Sequence, residues 1–174
     1  VAISDVLNIF SRVRLTLVDL INSSHKHRAK FNDSPKVAIT GSTINPKNKV
    51  VTIRGEARGT SLYPMTIAFY NVSMSTTRDA EHQVLAKDRD SNEYYLERIS
   101  MSKHKCQVRC SCRDFYFTWQ WWDRSNKALF GPNFPKYVRK TTTWPERNPG
   151  HYPGLCKHLM GFVEQLKNSG LLRQ

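Results

Sequence analysis

Apolar side chains recur at intervals of three and four residues along the first stretch of the chain, at Val6, Leu7, Phe10, Val13, Leu17 and Ile21. That spacing puts them on one helical face. With Ser4 as N-cap and Asp5 near the positive end of the dipole, the pattern predicts an amphipathic helix over 4–22. The periodicity then stops: Ser23 to Pro35, with His25, Lys26, His27, Arg28 and Lys30, reads as a basic arm or linker. From Lys36 the composition turns to β-branched and aromatic residues. Strands are expected at 37–40, 49–54 and 61–72, separated by turn formers such as Asn45-Pro46 and Gly55. Residues 79–93 are charged and read as a connection with a short helical turn. Tyr94–Ile99 and Lys105–Cys110 are two further strands joined by the polar Ser100–His104 turn. Helical spacing returns at Leu159, Phe162, Val163 and Leu166, with Gly170 as the stop. The expected architecture is α+β, with an N-terminal helix and basic arm over 1–35 and one β-rich domain with a small antiparallel sheet over 36–174.

Four cysteines and their neighbours carry the chemistry. Cys110-Ser111-Cys112 and Cys156-Lys157-His158 form a CxC and a CxH pair with 43 residues between them. Three thiolates and one imidazole suit zinc, which has no d-electron geometric preference and accepts sulfur and nitrogen together. Four protein ligands leave no position for water, so such a site is structural. A CxC pair is too short for a relaxed internal disulfide, and cross-pairing the thiols would leave His158 unused. Cys106 lies four residues before Cys110 on the same expected strand and reads as a buried bystander before a fifth donor; His104 and His151 are reserve ligands. His25 and His27 have no local cysteine or carboxylate pair and read as surface residues first, ligands second.

Two strands, a CxC pair, an aromatic segment and a CxH pair at a helix start resemble the SWIM-type zinc finger over about residues 92–170. The matching halves are Arg109-Cys110-Ser111-Cys112-Arg113-Asp114-Phe115 and Pro153-Gly154-Leu155-Cys156-Lys157-His158-Leu159. The chain departs in having Arg113 where most members have Pro, and in its longer insert. That insert, ending in Asn148-Pro149, is similar to SWIM-like proteins of large tailed bacteriophages, several of them virion components. The resemblance implies a zinc-bound β-β-α module, and a binding role towards protein or DNA that the fold alone does not assign.

The insert holds eleven of the nineteen aromatic residues, including every tryptophan, among Arg113, Arg124, Lys127, Lys136, Arg139 and Lys140. Two readings stand: aromatics packed over a thin core or a neighbouring subunit, or a single-strand nucleic-acid platform using Trp121, Trp122 and Trp144. Net charge sharpens the second, since residues 101–174 carry 13 basic and 4 acidic side chains against 14 and 10 in residues 1–100. No apolar run is long enough to span a bilayer, and the first residues lack the order of a secretory signal, so neither a membrane nor export is expected. No acid, base or nucleophile pattern emerges; Glu81, Asp88, Asp90 and Glu93 read as solvated surface. The expectation is a non-enzymatic structural or assembly protein with one zinc ion and no small-molecule substrate. It would lie in a virion among other virion or assembly proteins, possible DNA contact included; the alternative is a DNA-binding module in the host cytoplasm.

Overall fold

The computed structural model describes residues 12–31 and 35–174, and the chain forms a mixed α+β fold. A four-stranded antiparallel sheet is its centre, with β1 (Lys36–Asn45), β2 (Val50–Arg58), β3 (Leu62–Tyr70) and β8 (Cys106–Cys110) in the order β1-β2-β3-β8. The β1–β2 turn follows Asn45-Pro46: the Asn45 side-chain oxygen accepts from the Asn48 N–H at 3.1 Å, and Lys49 takes a φ of 53°. Between β3 and β8 the chain builds a smaller sheet of β4 (Met74–Ser75), β5 (His82–Lys87) and β6 (Glu93–Glu97), ordered β4-β6-β5. Thus 79–93, expected as a connection, contributes a strand. Asp88 makes the hairpin turn, its carboxylate accepting from the backbone of Asp90 and Asn92. A two-residue parallel pair, β7 (Ile99–Ser100) with β9 (Leu172–Arg173), ties in the C-terminal residues.

The two strands flanking Ser100–His104 do not pair with each other. β6 joins β4 and β5, whereas β8 joins β3 in the register Met65↔Cys110 to Phe69↔Cys106. Within the connecting turn His104 is buried, accepts from the Ser100 N–H through Nδ1 at 2.9 Å, and faces Glu97 through Nε2 at 3.1 Å. This closes the turn internally.

Only part of the helix expected over 4–22 falls among the described residues. Residues 4–11 lie outside the described residues, but 13–16 are not helical, and α1 runs Leu17–His27. A capping box sets its start, with Thr16 Oγ1 accepting from the Asp19 N–H at 3.2 Å and Asp19 accepting from the Thr16 N–H at 2.8 Å. Upstream, Leu15 is already committed to the sheet, its carbonyl accepting from the Cys106 N–H at 2.8 Å. Residues 23–27, expected within the arm, are therefore helical.

The C-terminal helix, here α3 (Lys157–Asn168), forms as the periodicity predicts, and Gly170 follows it at φ +76°. Its Leu159, Phe162, Val163 and Leu166 are buried against the sheet with Ile53, Met65, Ile67 and Val108. Contact is closest at Gly55, where a Cβ would meet the Phe162 ring at 2.5 Å. Between β8 and α3, a π-helical turn (Phe115–Trp119) continues into α2 (Gln120–Ser125), so the start of the insert is helical. Phe115 and Trp119 are fully buried.

Candidate metal centre

The four expected donors converge. Cys110 ends β8, Cys112 precedes the π-helical turn, Cys156 is the N-cap of α3 and His158 lies in that helix's first turn. All four are buried, and their donor atoms lie within 4.8 Å of one another. Cys110 Sγ and His158 Nδ1 are 3.9 Å apart. Tetrahedral zinc, with bonds of about 2.3 Å to sulfur and 2.0 Å to nitrogen, sets donor–donor edges of about 3.5–3.8 Å. The cluster therefore needs to contract by at most about an ångström.

Local structure holds each donor. Ser111 N–H donates to the Pro64 carbonyl at 3.1 Å, extending the β3–β8 ladder past Cys110. Phe115 N–H donates to Cys112 Sγ at 3.3 Å, a contact that favours a thiolate. The Tyr63 ring stacks on His158 with centroids 4.6 Å apart, fixing the imidazole plane. Cys156 is the N-cap of α3, at the positive end of the helix. Hydrogen bonds from Cys110 and Cys156 hold the Cys112 thiol far below its ordinary range, while burial pushes Cys156 well above it. A dication bound among them would stabilise all three thiolates together.

The supports behind the donors come from all over the chain. Ser24 Oγ, in α1, donates to the Leu20 carbonyl at 2.6 Å and accepts from the Leu155 N–H at 2.7 Å, beside Cys156. Asp123 Oδ1 accepts from the Gly154 N–H at 2.7 Å. Asp123 is fully buried, its other oxygen has no hydrogen-bond partner among the described residues, and burial raises its carboxyl well above the usual range. Arg28 and Asp114 form a two-bond ion pair at 3.0 and 3.1 Å, joining α1 to the segment after Cys112. Asn148 closes the far side, donating to the Thr118 and Tyr152 carbonyls and accepting from the Tyr152 N–H. Asp123 and Ser24 carry no signal in the sequence; Asn148 had one, as the conspicuous Asn-Pro near the second ligand pair.

Cys106 is buried in β8 and outside the cluster. His104 is engaged with Glu97, and His151 stacks on Trp122 at 4.0 Å. His25 and His27 pack edge-on against Phe31 and Trp119.

The remaining expected contact residues separate into groups. Trp121, Trp122, Trp144, Lys136, Arg139 and Lys140 line one groove of about 670 Å³ between the π-helix/α2 segment and an exposed strap, 131–147. Arg124 lies over the Trp121 ring at 5.0 Å. Arg113 and Lys127 are exposed and do not line the groove.

One arrangement elsewhere has the connectivity of an acyl-transfer relay. Ser73 Oγ is 2.8 Å from His82 Nε2, and His82 Nδ1 is 2.9 Å from both Asp79 oxygens. The Ser73 N–H, however, donates to Glu97 Oε1 at 2.8 Å. A carboxylate thus occupies the backbone donor that would meet a developing oxyanion, and a negative charge there opposes the chemistry.

Fold and donors together define the class: a mixed α+β protein with a buried Cys3His cluster able to hold one metal ion, compatible with zinc. No protein-family model matches the chain, and comparisons with curated proteins and with solved structures yield no match.

Proposed function

We propose that this is a non-enzymatic structural or assembly protein in which one zinc ion, of the SWIM type, organises a surface that contacts partners. The observation that carries the reading is the position of the ligand pairs. Cys112 and Cys156 bracket the insert, so a single ion closes a loop of 43 residues whose strap is exposed throughout. Closing that loop limits the ordering entropy lost when a partner binds. A full ligand shell, and the carboxylate against Ser73, favour a binding role over catalysis.

What supports a virion as the location, with other virion proteins as partners, is the likeness of the insert to tailed-bacteriophage SWIM-like proteins. Peptide mass spectrometry of purified particles is the test: the chain is expected at a fixed copy number, co-purifying through density gradients. Its absence from particles, with recovery only among DNA-associated proteins of the infected cell, would replace this reading by that of a DNA-transaction module.

A further inference from the structure

We propose that the groove under the 131–147 strap is a binding site for a short run of single-stranded nucleic acid. The inference rests on the strap being a contact surface, and specifies its ligand. Charge complementarity gives the first argument. Lys136, Arg139, Lys140 and Arg147 line the groove against a single acidic side chain among the described residues, Glu146, which faces His151 at 3.5 Å. The occupant is therefore a polyanion.

Ring geometry gives the second argument. Lys136 Nζ lies 5.2 Å from the Trp122 centroid and 5.7 Å from that of Trp121, while the Arg147 guanidinium lies 5.3 Å from the Phe117 ring. In the free protein these cations occupy aromatic faces, where a flat base would lie in the complex. A strand gives both groups partners at once, bases for the rings and phosphates for the cations. Trp144 is 77% exposed on the same lining and supplies a further face. An acidic peptide would satisfy the cations and leave those faces unused. A duplex buries its base faces in its own stack and offers none to the protein, so single strands are selected.

Strand release from the strap is also built in. Its anchoring is concentrated at its first residues, where Arg109 donates to the Phe130 and Pro132 carbonyls and Arg124 to the Phe134 carbonyl. Beyond Pro135 ring and cation contacts take over, Tyr137 meeting Phe117 edge-on at 4.6 Å. Contacts of this kind yield to a ligand without breaking a backbone ladder.

The test uses the full zinc-loaded chain with labelled oligothymidylate and oligouridylate of twelve residues, a duplex of equal length, and polyglutamate as competitor. Expected are quenching of tryptophan fluorescence by both single strands, weaker duplex binding, and little competition by polyglutamate. Trp144→Ala should weaken single-strand binding by about 5- to 150-fold, from about 1–3 kcal/mol per stacked base. Arg139→Glu with Lys140→Glu should reduce the salt slope by about 1.4, at about 0.7 per phosphate on a single strand. Different affinities for the two oligomers would identify DNA or RNA as the source. Equal duplex binding, efficient polyglutamate competition, or an unchanged Trp144→Ala affinity would each overturn the inference. A chain found in particles but blind to oligonucleotides removes this inference alone; one that binds them but is absent from particles removes only the virion assignment.

Discussion

The metal centre and the strap belong to one loop of the chain yet are held by opposite means. Around the centre, donors are buried and the backbone N–H groups beside them are fixed by directed hydrogen bonds to acceptors on α1, β3 and α2. Along the strap every residue from 131 to 147 is exposed, and rings and cations provide most of the holding contacts. Directed bonds in a low-dielectric interior fix one arrangement, because an unmade bond there costs the full desolvation of its group. Ring and cation contacts at a surface are weak and interchangeable. The comparison teaches a division of labour in which one part is immobile so that the other can exchange its contacts.

The strongest way to break the comparison is to remove the ion. Cys112→Ser or Cys156→Ser should abolish zinc binding in elemental mass spectrometry and unfold the module, since structural zinc contributes on the order of 10 kcal/mol. Retention of full metal and unchanged melting would show that the cluster is not a metal site. Next come the groups behind the donors. Gly154→Ala places a Cβ 2.5 Å from Ser24 Oγ and 2.6 Å from the Trp119 ring, and overpacking of this kind costs about 1–3 kcal/mol in a chemical denaturation series. Ser24→Ala leaves the Leu155 N–H unsatisfied and should lose a similar amount, about 1–3 kcal/mol.

A third measurement sits away from the loop. Hydrogen bonds from Ser73 N–H, Lys103 and His104 outweigh the opposing desolvation and hold the Glu97 carboxyl down to about 2. Its folded value lies below the unfolded one, so its contribution is present above about pH 4.5 and is lost as pH falls towards about 2. Wild type should exceed Glu97→Gln in stability at neutral pH, with the gap narrowing over that acid range; a gap independent of pH would contradict it. The smallest effect is expected at the strap. Trp144→Ala should move folding stability by less than about 0.5 kcal/mol, because the ring is mostly exposed and little packing is lost.

Legibility in the sequence followed the range of the physics. The cluster was readable because ligand chemistry is stereotyped: sulfur and imidazole at one-residue spacing identify themselves, and Cys110, Cys112, Cys156 and His158 do meet. Helix α3 was readable because its apolar stripe is local. The non-helical stretch 13–16 was not, since Val13 and Leu17 keep helical spacing across a capping box at Thr16 that a periodicity count passes over. Strand partnering failed for a related reason. Tyr94–Ile99 and Lys105–Cys110 are neighbours along the chain, but β8 completes an edge that β3 had left open since residue 70. Ser24 and Asp123 were illegible because their roles exist only once Leu155 and Gly154 have been brought to them.

The separation of the two ligand pairs also has a consequence in time. A ribosome adding about 5–20 residues per second needs about 2–9 seconds to pass from the first pair to the second across 43 intervening residues. For that interval Cys110 and Cys112 are a nascent half-site, able to take a loosely held ion or to be oxidised. An ion held by all four donors would have to wait for the second pair, and oxidation of the first pair in that interval would leave no complete site for it.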